Sequence, residues 1–181
     1  IKIIGQKNLS QEEILKNLNI EIGQPILDLS LEDIRKSVEK NNWVKYAVVE
    51  RKFPDTIDIS IIEKVPVVLW QNNKELKLLD QDGLVINNID VKPYINFPII
   101  IGEGAPSHFS SLFKIIEKRE DIFKLISSAS WISERRWNIK FNNDIVLKLP
   151  EESVEDSWKV FVKLFDKNEL LDTDIKVIDL R

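Results

Sequence analysis

The stretch Trp43–Trp70 reads WVKYAVVERKFPDTIDISIIEKVPVVLW. Trp43–Lys52 is rich in β-branched residues, which favour a pleated, half-buried surface. Thr56–Glu63 alternates strictly, with Ile57, Ile59 and Ile61 on one face and Asp58, Ser60 and Ile62 on the other, the period of a strand. Pro54 and Asp55 between them favour a tight turn. A third apolar run, Val65–Trp70, is entered through Pro66. Proline lacks an N–H and suits a strand start or an edge. The stretch holds no histidine, cysteine or glycine loop. It is built for a strand pair that passes stiffly into a second sheet, with Pro66 bracing the crossing.

Upstream, Ile1–Gly5 is a short apolar strand closed by glycine. Ser10 with Glu13 has the spacing of a capping box, followed by Ile14, Leu15 and Leu18 at helical intervals. Glu21–Ser30 reads as a turn, and Ser30 with Asp33 opens a second helix carrying Leu31, Ile34 and Val38. The first unit is therefore strand, helix, helix, strand, strand over residues 1–64.

Residues 65–181 have another rhythm. Glu75–Asn88 is a hairpin turning at Asp82-Gly83. Phe97–Gly102 reads as a buried strand, and Pro106 to about Ser128 as one helix. Trp131–Pro150 reads as two strands joined at Asn142–Asp144, Glu152–Asn168 as an amphipathic helix, and Asp174–Arg181 as a final strand. The class is α+β: a βααββ domain followed by a mainly antiparallel β domain with helices on one face.

Composition narrows the function. The chain has 181 residues, 43% hydrophobic and 31% charged, with a net charge of −4. Slight acidity argues against nucleic acid, which needs a basic face. No apolar run approaches the roughly 18 residues that a membrane helix requires. Zero cysteines excludes disulfides and thiolate metal sites. The first residue is Ile1 rather than Met, so the chain is expected to be a piece of a longer protein.

The candidates for chemistry are few. His108 is the only histidine; it precedes or opens a helix and lacks the partners a general base needs. Gly102–Pro106 contains G-x-G without the third glycine or the βαβ setting of a dinucleotide site. Asp80–Gly83 starts like a calcium loop but lacks its later ligands. Glu12/Glu13 and Glu151/Glu152 read as carboxylates at helix starts. No catalytic residue, metal or cofactor is expected. Arg135 and Arg136 enter a strand that alternates Trp137, Ile139 and Phe141. Alternation puts Arg135 on the Trp137 side and Arg136 on the other. Two readings stand: an internal salt bridge, for example to Asp179, or a fork for a partner's carboxylate.

Taken in order, these motifs carry a resemblance. IIGQKNLSQEEI (Ile3–Ile14), GQPILDLSLEDIR (Gly23–Arg35), the opening stretch, LLDQDGLVI (Leu78–Ile86), ERRWNIKFNNDIVLKLP (Glu134–Pro150) and VIDLR (Val177–Arg181) resemble the FtsQ family of cell-division proteins, called DivIB in some bacteria. The likeness spans nearly the whole chain. It implies a POTRA domain over 1–64 and the family's β domain over 65–181. It also implies a periplasmic location, beyond a single-pass inner-membrane anchor absent from this chain, at the division septum. The implied role is a non-enzymatic scaffold that docks FtsB and FtsL and helps control septal wall synthesis. In the family a further strand with glycine and aromatic residues follows the VIDLR segment and takes part in the partner surface. The expected docking route is strand addition at the C-terminal edge. Ile178 and Leu180 face the core there, Val177, Asp179 and Arg181 face outward, and Arg135, Arg136 and Arg181 receive partner carboxylates. Two alternatives are weighed against this. A POTRA-bearing outer-membrane assembly or secretion factor would carry several such units or a barrel. A wall hydrolase would need a metal set or a nucleophile with a base.

Overall fold

A computed structural model describes residues 1–18, 20–21, 23–167 and 175–181. Ile22 of the expected turn, the helix end expected at Asn168 and the strand start expected at Asp174 lie outside them. The chain divides into two compact units, Ile1–Val65 and Pro66–Arg181.

The first unit contains β1 (Lys2–Ile4), α1 (Gln11–Lys16), α2 (Leu31–Glu39), β2 (Val44–Lys52) and β3 (Thr56–Glu63). Its three strands are ordered β1-β3-β2, with β1 parallel and β2 antiparallel to the central β3. Both helix starts follow the sequence. Ser10 Oγ accepts from Glu13 N while the Glu13 carboxylate accepts from Ser10 N, and Ser30 Oγ accepts from Asp33 N. Ile57, Ile59 and Ile61 are buried against Ile14, Ile34 and Val38 of the helices. Each such isoleucine contributes about 1.5–3 kcal/mol by leaving water. The helices cover one face only, and Ile4, Tyr46, Val48 and Ile62 stay exposed.

One carboxylate ties the start of this unit to its end. Glu63, the last residue of β3, is buried. It accepts hydrogen bonds from the backbone N–H groups of Lys7, Asn8 and Leu9 at 2.7, 2.9 and 3.2 Å, and from Asn8 Nδ2 at 2.8 Å. The loop is pressed so closely to β3 that a Cβ on Gly5, at φ +94°, would meet the Ile61 carbonyl at 2.1 Å.

The second unit contains β4 (Pro66–Asn72), β5 (Glu75–Asp80), β6 (Val85–Ile86), β7 (Ile99–Ile101), α3 (Ala105–Ile116), α4 (Glu120–Phe123), β8 (Ile126–Ile132), β9 (Arg136–Phe141), β10 (Val146–Lys148), α5 (Val154–Asp166) and β11 (Val177–Asp179). One eight-stranded sheet runs β11-β10-β9-β8-β7-β4-β5-β6. Four of its pairs are antiparallel; β4–β7, β7–β8 and β10–β11 are parallel. Phe109, Leu112 and Ile116 of α3 and Trp158 and Phe161 of α5 share one core with Ile100, Ala129, Trp137, Ile139, Leu147 and Ile178 of the sheet.

Three expectations are corrected. The helix expected from Pro106 to about Ser128 ends at Ile116; a separate turn of helix covers Glu120–Phe123, and Ile126 begins β8. Ile126 fits helical spacing, but the serines at 127, 128 and 130 disfavour a helix interior, and Ile100 pairs with Ala129. The two strands expected over Trp131–Pro150 are three, because Trp131 and Ile132 close β8 and the chain turns at Ser133–Glu134, both with left-handed φ near +50°. Of the strand expected to be buried at Phe97–Gly102, only Ile100 is fully enclosed.

Burial acts to raise the Glu63 pKa, but the hydrogen bonds from Lys7, Asn8 and Leu9 outweigh it and hold the carboxyl below its usual range. A carboxyl lowered by folding stabilises above its unfolded pKa of about 4.3, and that stability is lost as pH falls through the lowered native value. Glu63→Gln is expected to cost the first unit about 1.5–3 kcal/mol at neutral pH. The penalty should shrink as pH falls through the lowered native value. Urea unfolding followed by circular dichroism at pH 7 and pH 3 measures both, and an equal penalty at the two pH values would contradict the assignment.

Candidate functional site

The far edge of the large sheet is built by β11. It pairs in parallel with β10, matching Val146 with Val177, Leu147 with Ile178 and Lys148 with Asp179. Lys176 O accepts from Val146 N at 2.9 Å, and Leu180 N donates to Lys148 O at 3.0 Å. Backbone groups alternate sides along a strand. Lys176, Ile178 and Leu180 therefore spend theirs on β10, and Val177, Asp179 and Arg181 turn theirs away from it. Among the described residues β11 is the last strand on that side. Side chains alternate in step. Ile178 is 9% exposed and Leu180 packs partly against the same core, while Val177 is 50% exposed and Asp179 and Arg181 are exposed.

At the end of this edge two opposite charges meet. The Arg181 guanidinium forks onto Asp179, with Nε 2.7 Å from Oδ1, and Arg181 N donates to the same oxygen at 3.2 Å. Lys148 Nζ stands 4.0 Å from the other oxygen. The Arg181 hydrogen bond pulls the Asp179 carboxyl down to about 2. Asp179 is thus not the internal partner of Arg135 or Arg136 that the sequence reading named. Arg181, two residues away on the same face, takes it.

Arg136 opens β9 opposite Ile132, and Arg135 lies in the preceding turn rather than in the strand. Strand alternation therefore does not place Arg135. Its nearest acid is Glu151, at 4.0 Å, with both side chains more than half exposed. Arg136 Nε is buried without a hydrogen-bond partner. Both arginines line a cleft of about 190 Å³ with His108, Trp131, Trp137 and Glu151. His108 is an exposed residue in the first turn of α3, where Gly104 holds the cap position. Its ring lies flat on Trp131, with centroids 4.3 Å apart. Glu151 and Glu152 precede α5, whose first-turn acids are Glu155 and Asp156.

The register joins the two regions. Asn138 pairs with Lys148, and Lys148 with Asp179. Carried two residues further, the same rows bring Arg136, Pro150 and Arg181 to one end of the sheet, Arg136 and Arg181 being two strand spacings, roughly 10 Å, apart. Val177 lies at the other end of β11.

Asp80, weighed in the sequence only as the start of an incomplete calcium loop, is fully buried; its Oδ1 accepts from Asp82 N at 3.0 Å and Leu84 N at 2.8 Å. It clamps the hairpin turn against α3, where a Cβ on Gly83, at φ +80°, would meet the Pro106 carbonyl at 2.2 Å. Its place before the Asp82-Gly83 turn was the available signal. Among the described residues no three His, Asp or Glu side chains gather as metal ligands, and no helix is long and apolar enough to cross a membrane.

Residues 1–64 match the family model for the POTRA domain, FtsQ-type, and residues 68–181 that for the cell division protein FtsQ/DivIB, C-terminal. The chain is 35% identical over 179 residues to the cell division protein FtsQ of Rickettsia conorii, covering 99% of this chain and 67% of that protein. This chain belongs to the FtsQ/DivIB cell-division family. It is 34% identical to FtsQ of Rickettsia felis, with the same coverage, and 29% identical to FtsQ of Caulobacter vibrioides, covering all of this chain and 60% of that one. Among solved structures it is similar to the extracytoplasmic domain of DivIB from Geobacillus stearothermophilus. That likeness has 11% identity and a TM-score of 0.43, over 59% of this chain and 97% of the other, and adds nothing to the assignment.

In this FtsQ-family chain the edge depends on which residues of β11 are anchored. Ile178→Asp should destabilise the second unit by about 3 kcal/mol or more, since it buries a charge in place of an apolar side chain. Val177→Asp, at an exposed position, should stay within about 0.5 kcal/mol of the parent. Thermal melts of the two variants check this; equal losses would mean that β11 is not registered as described.

Proposed function

We propose that this chain is the non-enzymatic docking portion of a cell-division scaffold. It acts in the periplasm beyond an inner-membrane anchor, at the septum, where it holds FtsB and FtsL and so helps control septal wall synthesis. The two docking domains divide at Lys64–Val65. The family membership supplies the division role. The observation that carries the docking reading is β11: Val177, Asp179 and Arg181 offer backbone groups that β10 does not use, on a strand fixed from below by Ile178. An extended partner segment satisfies such groups by adding a strand. Arg181 at the end of the edge, with Arg135 and Arg136 beside it, supplies forks for the partner's carboxylates.

Truncating one member of a desolvated interfacial ion pair costs roughly 2–5 kcal/mol, whereas an exposed pair contributes little. Arg181→Glu, Arg135→Glu and Arg136→Glu are therefore expected to weaken binding of the FtsB–FtsL pair in calorimetry while leaving the melting temperature near the parent value. If all three lower the melting temperature and leave the affinity of the folded fraction unchanged, the arginines only brace the sheet and docking lies elsewhere.

The scaffold reading also gives His108 no chemical duty. His108→Ala removes the ring stacked on Trp131 and should alter tryptophan fluorescence, yet support division in a complementation test. Filamentous cells with normal protein levels would speak against a chemically silent His108.

A further inference from the structure

The cleft of about 190 Å³ lies between α3 and Val154, the first residue of α5, beside the turn that joins β8 to β9. His108, Ser111, Leu112 and Ile115 all line it. Their spacing of three, four and seven residues puts them in one stripe along α3. Leu112 and Trp137 are buried at its base, and Ile115 and Val154 are partly buried. Trp131 forms a side wall, braced by the His108 ring stacked on it. The charged side chains lining the cleft are Arg135, Arg136 and Glu151, two cations against one acid. Arg135 and Glu151 stand 4.0 Å apart, both more than half exposed, a pair that contributes little. An apolar cavity of about 150 Å³ holds a benzene ring. A cleft of this size therefore suits one aromatic or long aliphatic side chain, and is too small for a helix.

We propose that this cleft is an anchor site for a single apolar side chain carried by an acidic partner segment. The proposal rests on the docking role stated above and adds to it a contact on the helix side of the large sheet. The chemistry selects the occupant. Leu112, Ile115 and Trp137 reward an apolar side chain that leaves water. An acid beside that side chain meets the Arg135 fork, which binds a carboxylate in two parallel hydrogen bonds more strongly than it holds Glu151 at 4.0 Å. A basic segment would bring its charge against two arginines and be refused. A wholly polar segment would leave the base unfilled. The stacked wall and the buried Trp137 ring fix the shape of the cleft in the free protein, so little ordering is needed on binding. One desolvated anchor inside a rim of weaker contacts is the arrangement that concentrates binding energy at protein interfaces.

The test is calorimetric titration of the FtsB–FtsL pair into this chain and its variants, with a melting curve for each. Ser111→Trp, at an exposed position on the rim, fills the cleft with an indole. It should weaken binding about tenfold or more while the melting temperature stays near the parent value. Ser111→Ala leaves the cleft open and should bind as the parent does. Ile115→Ser removes an apolar wall without filling the cleft; it should weaken binding about three- to tenfold and serves if the tryptophan variant folds poorly. Parental affinity in whichever of Ser111→Trp and Ile115→Ser folds, while Arg135→Glu still loses affinity, overturns the anchor and leaves the docking role standing. Equal losses in Ser111→Ala and Ser111→Trp would trace the effect to the hydroxyl and also overturn the anchor. No binding of the pair to the parent chain overturns the docking role, and the anchor with it.

Discussion

The burial of Ile178 in the helix-backed core is the contact on which the edge of the large sheet depends. It sits opposite Leu147, itself fully enclosed. Because side chains alternate with a period of two, a slip of one residue would carry Val177 and Asp179 into the core and Ile178 out of it. Burying a carboxylate there is far costlier than burying isoleucine. The position of every outward group on β11 follows from that one preference. So does the meeting of Asp179 with Arg181, which share a face because they are two residues apart.

Carboxylates recur in this protein as receivers of backbone N–H groups. Glu63 holds the loop Lys7–Leu9, Asp80 holds the turn ahead of Leu84, and Asp179 holds the end of β11. The first two are buried and fix the fold. Asp179 is exposed, so its hold is open to competition from water and from other acids. The same chemistry thus serves as structure in two places and as an exchangeable contact in the third.

Much of this was legible in the sequence, for physical reasons. The capping serines at 10 and 30 and the isoleucines at 57, 59 and 61 are local signals, and the structure uses them as they stand. The faces of Ile178 and Asp179 follow from alternation alone. What was not legible depended on distant partners. Ile126 fits a helix by spacing, and only its pairing with Phe141 across β9 makes it a strand residue. The turn at Ser133–Glu134 carries no glycine, asparagine or proline to announce it, so Arg135 was read one element too late. The stack of His108 on Trp131 joins residues more than twenty positions apart, and the three Glu63 contacts reach back over fifty. Asp179 was offered to the wrong arginine although alternation alone puts Arg181, two residues on, on its own face.

Hydrogen exchange read residue by residue, with and without the FtsB–FtsL pair, tests the central claim most directly. Amides at Val177 and Asp179 point away from β10 and should exchange readily in the free protein, then become protected in the complex. Ile178 and Leu180, already committed inward, should change little. Protection appearing instead at β6 or on the face carrying Ile4 and Val48, with β11 unaltered, would contradict the account.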